Sequence, residues 1–224
     1  MAVKLTETER ELASVIAKHK GRTSVMVSQL KIHTLGAKRI YREVNGVPPK
    51  SGLLPSSTET NFFPIQRLQS SLLMILYEKA LKKTITNPSF HEDLEKYNLG
   101  ELVINNDRLE RIKKEVALDK ARAFTSSYCA YARITKDQAK IDINRFDFLV
   151  RDLYKTSNSK LPKKVIQWAK CRICKAKILR KFDETQTKCP YCEDSLTRSR
   201  NLVSAFRERA INRSLPTNSE ASEN

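Results

Sequence analysis

Apolar residues recur at helical spacing over most of the chain. Between Leu5 and Lys20, Leu12, Val15 and Ile16 share one face, and Glu7, Glu9 and Glu11 favour a first turn. Thr6 or Thr8 is placed to cap this helix and Gly21 to close it. Residues 24–45 read as two short helices around a tight turn. Met26, Leu30 and Ile32 face inward from the first helix and the turn, and Ala37, Ile40, Tyr41 and Val44 repeat at i, i+3, i+4, i+7 on the second. The stretch Asn45-Gly46-Val47-Pro48-Pro49-Lys50-Ser51-Gly52 cannot be helical and leads into an extended path to Pro64.

Beyond it, Ile65 to Lys83 predicts a strongly apolar core helix. Residues 107–133 predict a long helix whose Leu109, Ile112, Val116 and 120–124 segment form one buried stripe. Ile143 to Tyr154 predicts another, with Phe146, Leu149, Val150 and Leu153 on one face. A linker over 156–162, a cysteine-bearing module over 166–195, a basic helix over 197–213 and a disordered tail over 214–224 complete the chain. The expected fold is mainly α. A helical domain over 1–160 contains a helix-turn-helix-like segment at 24–45, and a second unit over 161–213 holds a four-cysteine zinc ribbon and the basic C-terminal helix.

Charge narrows the partners. The 224 residues carry 42 Lys and Arg against 25 Asp and Glu, a formal net charge of +17. Residues 160–213 alone hold 15 basic and 5 acidic side chains, so the excess is spread over both units and is not confined to a tail. Such a surplus fits nucleic acid first. No run approaches the ~18 apolar residues of a membrane span. Residues 1–7 lack the apolar core of a signal peptide, which predicts a soluble, cytoplasmic protein with no membrane partner. The chain has only 5 Gly and no Gly-rich phosphate loop, and its three histidines (His19, His33, His91) are scattered. With no catalytic motif, it is expected not to be an enzyme. Cys129 stands alone and reads as a small hydrophobe, and His33 as a capping or phosphate-contacting side chain.

The other four cysteines are more informative. Cys171, Cys174, Cys189 and Cys192 have the spacing C-x2-C-x14-C-x2-C, close to that of four-thiolate zinc sites. Two residues between thiolates let a tight knuckle aim both sulfurs at one ion, and a second knuckle completes the tetrahedron. Residues 175–188 have room for a β-hairpin walled by Ile178, Leu179 and Phe182. Two disulfides would need an oxidising compartment, and a redox pair would need only one C-x-x-C. An iron–sulfur cluster is the third rival, but paired knuckles around a ribbon-length spacer favour zinc. Four thiolates leave no open coordination position, so the single Zn2+ is expected to be structural.

Residues 24–45 supply a second element of nucleic-acid chemistry. The outer face of the second helix shows Thr34, Lys38, Arg39 and Arg42, suited to phosphate or guanine in a major groove. The turn position usually held by Gly is Lys31. An ordinary helix pair with a solvated basic face would show the same pattern. Lys50, Arg180, Lys181, Arg198 and Arg200 are further candidate phosphate contacts.

One stretch carries a family resemblance. Residues 38–58, including Lys38-Arg39-Ile40-Tyr41-Arg42-Glu43 and Pro48-Pro49-Lys50-Ser51-Gly52-Leu53-Leu54-Pro55, resemble the FlhC family of bacterial transcriptional activators. Phe62-Phe63, the segment Asn144-Arg145-Phe146-Asp147-Phe148-Leu149-Val150-Arg151 and the order of the four cysteines are similar as well. The resemblance implies a zinc-containing, DNA-binding activator subunit with zinc ligands at Cys171, Cys174, Cys189 and Cys192. It also implies an FlhD-like partner in a heterohexamer of four FlhD and two FlhC chains, and recruitment of RNA polymerase to promoters. The longer first helix and basic tail fit flagellar members poorly, and transfer-gene activators of conjugative elements belong to the same family. A basic zinc-ribbon protein that binds RNA or associates with the ribosome is the alternative.

Overall fold

The computed structural model describes residues 5–50, 64–154, 166–171, 174–181 and 190–193. Their elements are α1 (Glu7–Lys18), α2 (Thr23–Leu30), α3 (Thr34–Asn45), α4 (Pro64–Thr84), α5 (Pro88–Asn98), α6 (Asn106–Thr135), α7 (Ile143–Leu153), β1 (Ile166–Lys170), β2 (Lys177–Lys181) and the one-turn α8 (Pro190–Glu193). The molecule is mainly helical, as its periodicity predicts. The extended path over 51–63, the linker over 156–162, the basic helix and the tail lie outside the described residues.

Local chemistry sets the helix ends. Thr6 caps α1 through a capping box. Its hydroxyl accepts from the Glu9 N–H at 3.2 Å, and the Glu9 carboxylate accepts from the Thr6 N–H at 2.8 Å, a device worth about 1 kcal/mol. At the other end the left-handed residue is Lys20, with φ +60°, and not Gly21. Gly21 is needed for close approach: a Cβ there would lie 2.4 Å from Ile16 Cγ2 and 3.2 Å from Ile143 Cγ2. Its role is to seat the end of α1 against α7.

The helix pair at 24–45 forms as predicted. Lys31 takes the left-handed conformation (φ +57°) that closes α2, its N–H donating to the Val27 carbonyl. Buried Ile32 follows, and His33 caps α3 as its Nδ1 accepts from the Leu35 N–H. Met26, Leu30, Ile32, Ala37, Ile40 and Tyr41 are buried, so the inward face is the expected one, with Val44 only partly covered. Gly46 (φ +69°) ends α3.

The 30-residue α6 is the spine, packed by α4, α5, α2 and α1. Phe146 of α7 stacks on Phe124 of α6 with centroids 4.4 Å apart and meets Tyr77 of α4 edge-on at 5.9 Å. Two acidic side chains of α7, both fully buried, fasten its neighbours. Asp147 accepts from Gln29 of α2 at 2.8 Å and pairs with Arg151 at 2.8 Å. Asp152 accepts from the Ile166 N–H of β1 at 2.9 Å. At the start of α7, Asn144 Oδ1 accepts from the Arg22 N–H at 2.8 Å.

The strand pairing that is described uses an unexpected partner. Among the described residues, β2 pairs antiparallel with β1, Trp168 opposite Leu179, so this hairpin wraps the first cysteine pair, while residues 182–188 of the expected hairpin lie outside the described residues. The partner strand is apolar sequence just upstream of Cys171, and burying Ile166 and Leu179 in the main core drives the pairing. The hairpin lies on α4, whose Ser71 hydroxyl accepts from the Leu179 N–H at 3.0 Å. Arg67, Gln69 and Ser70 of α4 are buried as well, Gln69 donating to the Gln138 carbonyl and accepting from the Tyr131 hydroxyl, within what the sequence predicts as a strongly apolar core helix. Helix α5 was not expected. None of its residues is buried. Phe90 and Leu94 half-cover a satellite cluster of Ile104, Leu109, Ile112 and Val116. Its approach is fixed by Asp119, which accepts from the Thr86 N–H at 3.1 Å and pairs with His91 at 3.1 Å. Among the described residues no helix is long and apolar enough to cross a membrane.

Two predictions follow from this packing. Gly21→Ala is expected to cost about 1–3 kcal/mol by overpacking, read as a lower urea midpoint; an unchanged midpoint contradicts the close approach. Burial pushes the Asp147 carboxyl above the usual range, against the Gln29 hydrogen bond and the Arg151 charge. A carboxyl so raised gives stability that is fully present below about pH 4 and is lost as pH climbs through the folded value. Asp147→Asn removes that titration. The stability difference should therefore move against the wild type as pH rises from about 4, and a flat difference in urea unfolding contradicts the burial effect.

Candidate metal centre and basic helix

β1 runs directly into Cys171, and β2 begins at Lys177. The Cys171 N–H donates to the Ala176 carbonyl at 2.9 Å, and the Lys175 N–H to the Cys171 carbonyl at 3.0 Å. Lys175 takes the left-handed conformation (φ +61°) this tight turn demands. Cys171 is thus buried at the root of the knuckle and Cys174 exposed at its rim. Cys192 comes from α8, which packs on α4. Cys171, Ile178, Ala169, Ala176, Tyr191 and Cys192 form a small apolar shell.

The sulfurs of Cys171, Cys174 and Cys192 all lie within 4.8 Å of one another, and those of Cys171 and Cys192 are 3.7 Å apart. That is far beyond the ~2.05 Å of a disulfide. It matches the ~3.8 Å edge of a tetrahedron with ~2.3 Å metal–sulfur bonds. Three cysteines are therefore close enough to hold one metal ion, and the donor set is of the soft thiolate kind that zinc takes. Cys189 lies outside the described residues.

Lys170, Lys175 and Lys177, close to the cluster in sequence, are exposed. Lys177 is committed elsewhere: it pairs with Glu78 of α4 and sits 4.1 Å over the Trp168 ring. Arg180 is half-buried, and its Nε is enclosed with no hydrogen-bond partner among the described residues. Lys181 is also half-buried, Lys50 is exposed, and Arg198 and Arg200 lie outside the described residues.

On α3, Thr34, Lys38, Arg39 and Arg42 are all exposed. Arg39 donates to Glu43 at 2.8 Å, and Arg10 of α1 reaches the same carboxylate at 3.2 Å. Those two cations hold the Glu43 carboxyl below its usual range, the Arg39 hydrogen bond first. Lys38 and Arg42 form no ion pair among the described residues. The basic helix and the metal knuckle attach to different helices, α3 to α1 and α2, the hairpin to α4 and α7.

The remaining reactive side chains have structural partners. Cys129 is half-buried, 3.6 Å from His19 Nε2, and burial pushes its thiol up. His33 caps α3 and His91 pairs with Asp119. One exposed residue of the basic helix escaped the charge-based reading: Leu35, which shares a face with Lys38, Arg39 and Arg42 and has the helical spacing that reveals it.

Trp168 is the chain's single tryptophan and lies three residues before Cys171. Stripping the metal with a chelator is expected to shift Trp168 emission while the helical circular dichroism stays nearly constant, because the hairpin and α8 contribute little helix. Unaltered emission after complete metal removal would separate the hairpin from the sulfur cluster. No family model matches the chain, and no curated protein is detectably similar to it.

Proposed function

We propose that this chain is a DNA-binding transcriptional activator subunit of the FlhC kind. Helix α3 serves as the second helix of a helix-turn-helix, and one zinc ion is held by Cys171, Cys174, Cys189 and Cys192. The observation that carries the reading is the uncovered cationic face of α3. Lys38 and Arg42 are free of carboxylates among the described residues, on a helix whose opposite face buries Ala37, Ile40 and Tyr41 in the core. A helix presented this way can lie in a major groove with its cations on phosphates. The net charge of +17 supports an electrostatic encounter with a duplex.

The metal supplies a structural cross-link when bound. It would join the knuckle at the end of β1 to α8, and so stiffen the hairpin against α4. A zinc ribbon completed by Cys189, an FlhD-like partner in a four-to-two heterohexamer and recruitment of RNA polymerase in the cytoplasm come with the family resemblance. They form the assembly in which this subunit would act.

Binding to duplex DNA should fall steeply as salt rises from ~0.05 to ~0.5 M, and Arg42→Ala should lower the slope by about one counterion without loss of fold. Affinity that ignores salt, or tighter binding to structured RNA than to any duplex, overturns the reading. For the metal, purified wild type should carry about one zinc per chain and Cys189→Ser almost none. Stoichiometric zinc in Cys189→Ser contradicts the ligand set.

A further inference from the structure

The exposed stripe of α3 is not uniformly polar. Leu35, Lys38, Arg39 and Arg42 fall at i, i+3, i+4 and i+7, which places them on one face. The three cations are exposed, and Leu35 leads them in the first helical turn with 69% of its surface open. Leu35 is not a frayed end. Its N–H is held by His33 Nδ1 at 3.2 Å, and the next turn of the helix buries Ala37, Ile40 and Tyr41. The result is a rigid apolar knob at the leading end of a cationic ridge.

A merely solvated face gains nothing from leucine at that position. One leucine beside three cations is also too little apolar surface for a membrane interface, which takes a broad apolar face. A duplex fits both halves of the ridge. Phosphates take the cations, and the major groove of unmodified DNA offers a single apolar group, the C5 methyl of thymine. The N-terminal turn of a recognition helix is the part that reaches base edges.

We propose that Leu35 is a base-reading side chain of α3 and that its ligand is the 5-methyl group of a thymine in the major groove. This rests on the DNA-binding reading of α3 above and adds to it the residue that discriminates and the base it selects. Lys38 and Arg42 then supply affinity with little sequence preference, while Leu35 contributes selectivity.

The test uses the full-length, zinc-loaded protein. A duplex is enriched from a randomised pool, and each thymine in it is replaced singly by deoxyuridine, which lacks only the methyl group. At one position in the bound site the wild type should lose about three- to fivefold in affinity, the value of one buried methyl. At that position Leu35→Ala should be indifferent to the replacement. It should also bind the thymine duplex about as the wild type binds the uracil one. Arg42→Ala should weaken both duplexes alike and keep the wild-type ratio. Two results overturn the proposal: a wild type insensitive to deoxyuridine at every position, or a Leu35→Ala protein that keeps the full thymine preference. Failure to enrich any duplex, with no binding at low salt, defeats the DNA-binding reading itself and this proposal with it.

Discussion

Two carboxylates that α7 carries into the interior hold the two chemically distinctive parts of this protein. Asp147 faces α2 and takes the Gln29 amide; Asp152 faces β1 and takes the Ile166 N–H. Both are completely buried, and a buried acid is tolerable only where hydrogen bonds and charge replace water. Arg151 supplies the charge for Asp147 from one turn away. Because one helix anchors both neighbours, the α2–α3 pair and the cysteine hairpin share a common mount although they pack on different faces. Asn144 extends the same logic by capping the backbone at the start of α2. Much of the motif at 144–151 is thus explained by what it fastens.

The tight turns follow a second constraint. A chain with only 5 glycines has few residues that enter the left-handed region freely. Four non-glycine residues among those described have positive φ, and all four are lysines: Lys20, Lys31, Lys136 and Lys175. They end α1, end α2, end α6 and close the metal knuckle. Each conformation costs on the order of 1 kcal/mol or more, which the surrounding packing offsets. Lysine at these points leaves exposed cations at the element ends.

The sequence shows much of this architecture because helix periodicity is a strong signal. The faces of α3 and α7 can be read directly from Ala37, Ile40 and Tyr41 and from Phe146, Leu149, Val150 and Leu153, since a narrow apolar stripe admits one orientation. What it hides has physical causes. Helix α5 buries nothing fully, so it has no stripe to find. Gly21 looks like a helix terminator, yet it serves a steric contact with Ile143, more than a hundred residues away, and no local pattern reports that. The pairing of β2 with β1 is not legible because strand propensity does not name a partner, and the upstream strand is chosen by tertiary burial of Ile166. Of the candidate site, the cysteine spacing points to the cluster that Cys171, Cys174 and Cys192 form. The cationic face of α3 is legible too, but Leu35 is visible only when apolar residues are sought where charge is expected.

The central claim is that the outer face of α3 meets a duplex, and lysine footprinting tests it most directly. Lys38 stands on that face, while Lys96 is exposed on acidic α5 and serves as the internal reference. With the zinc-loaded chain saturated by duplex DNA, acetylation of Lys38 should slow several-fold while that of Lys96 is unchanged. A Lys38 that reacts as fast with DNA bound as without it would place the nucleic-acid surface elsewhere and contradict the account.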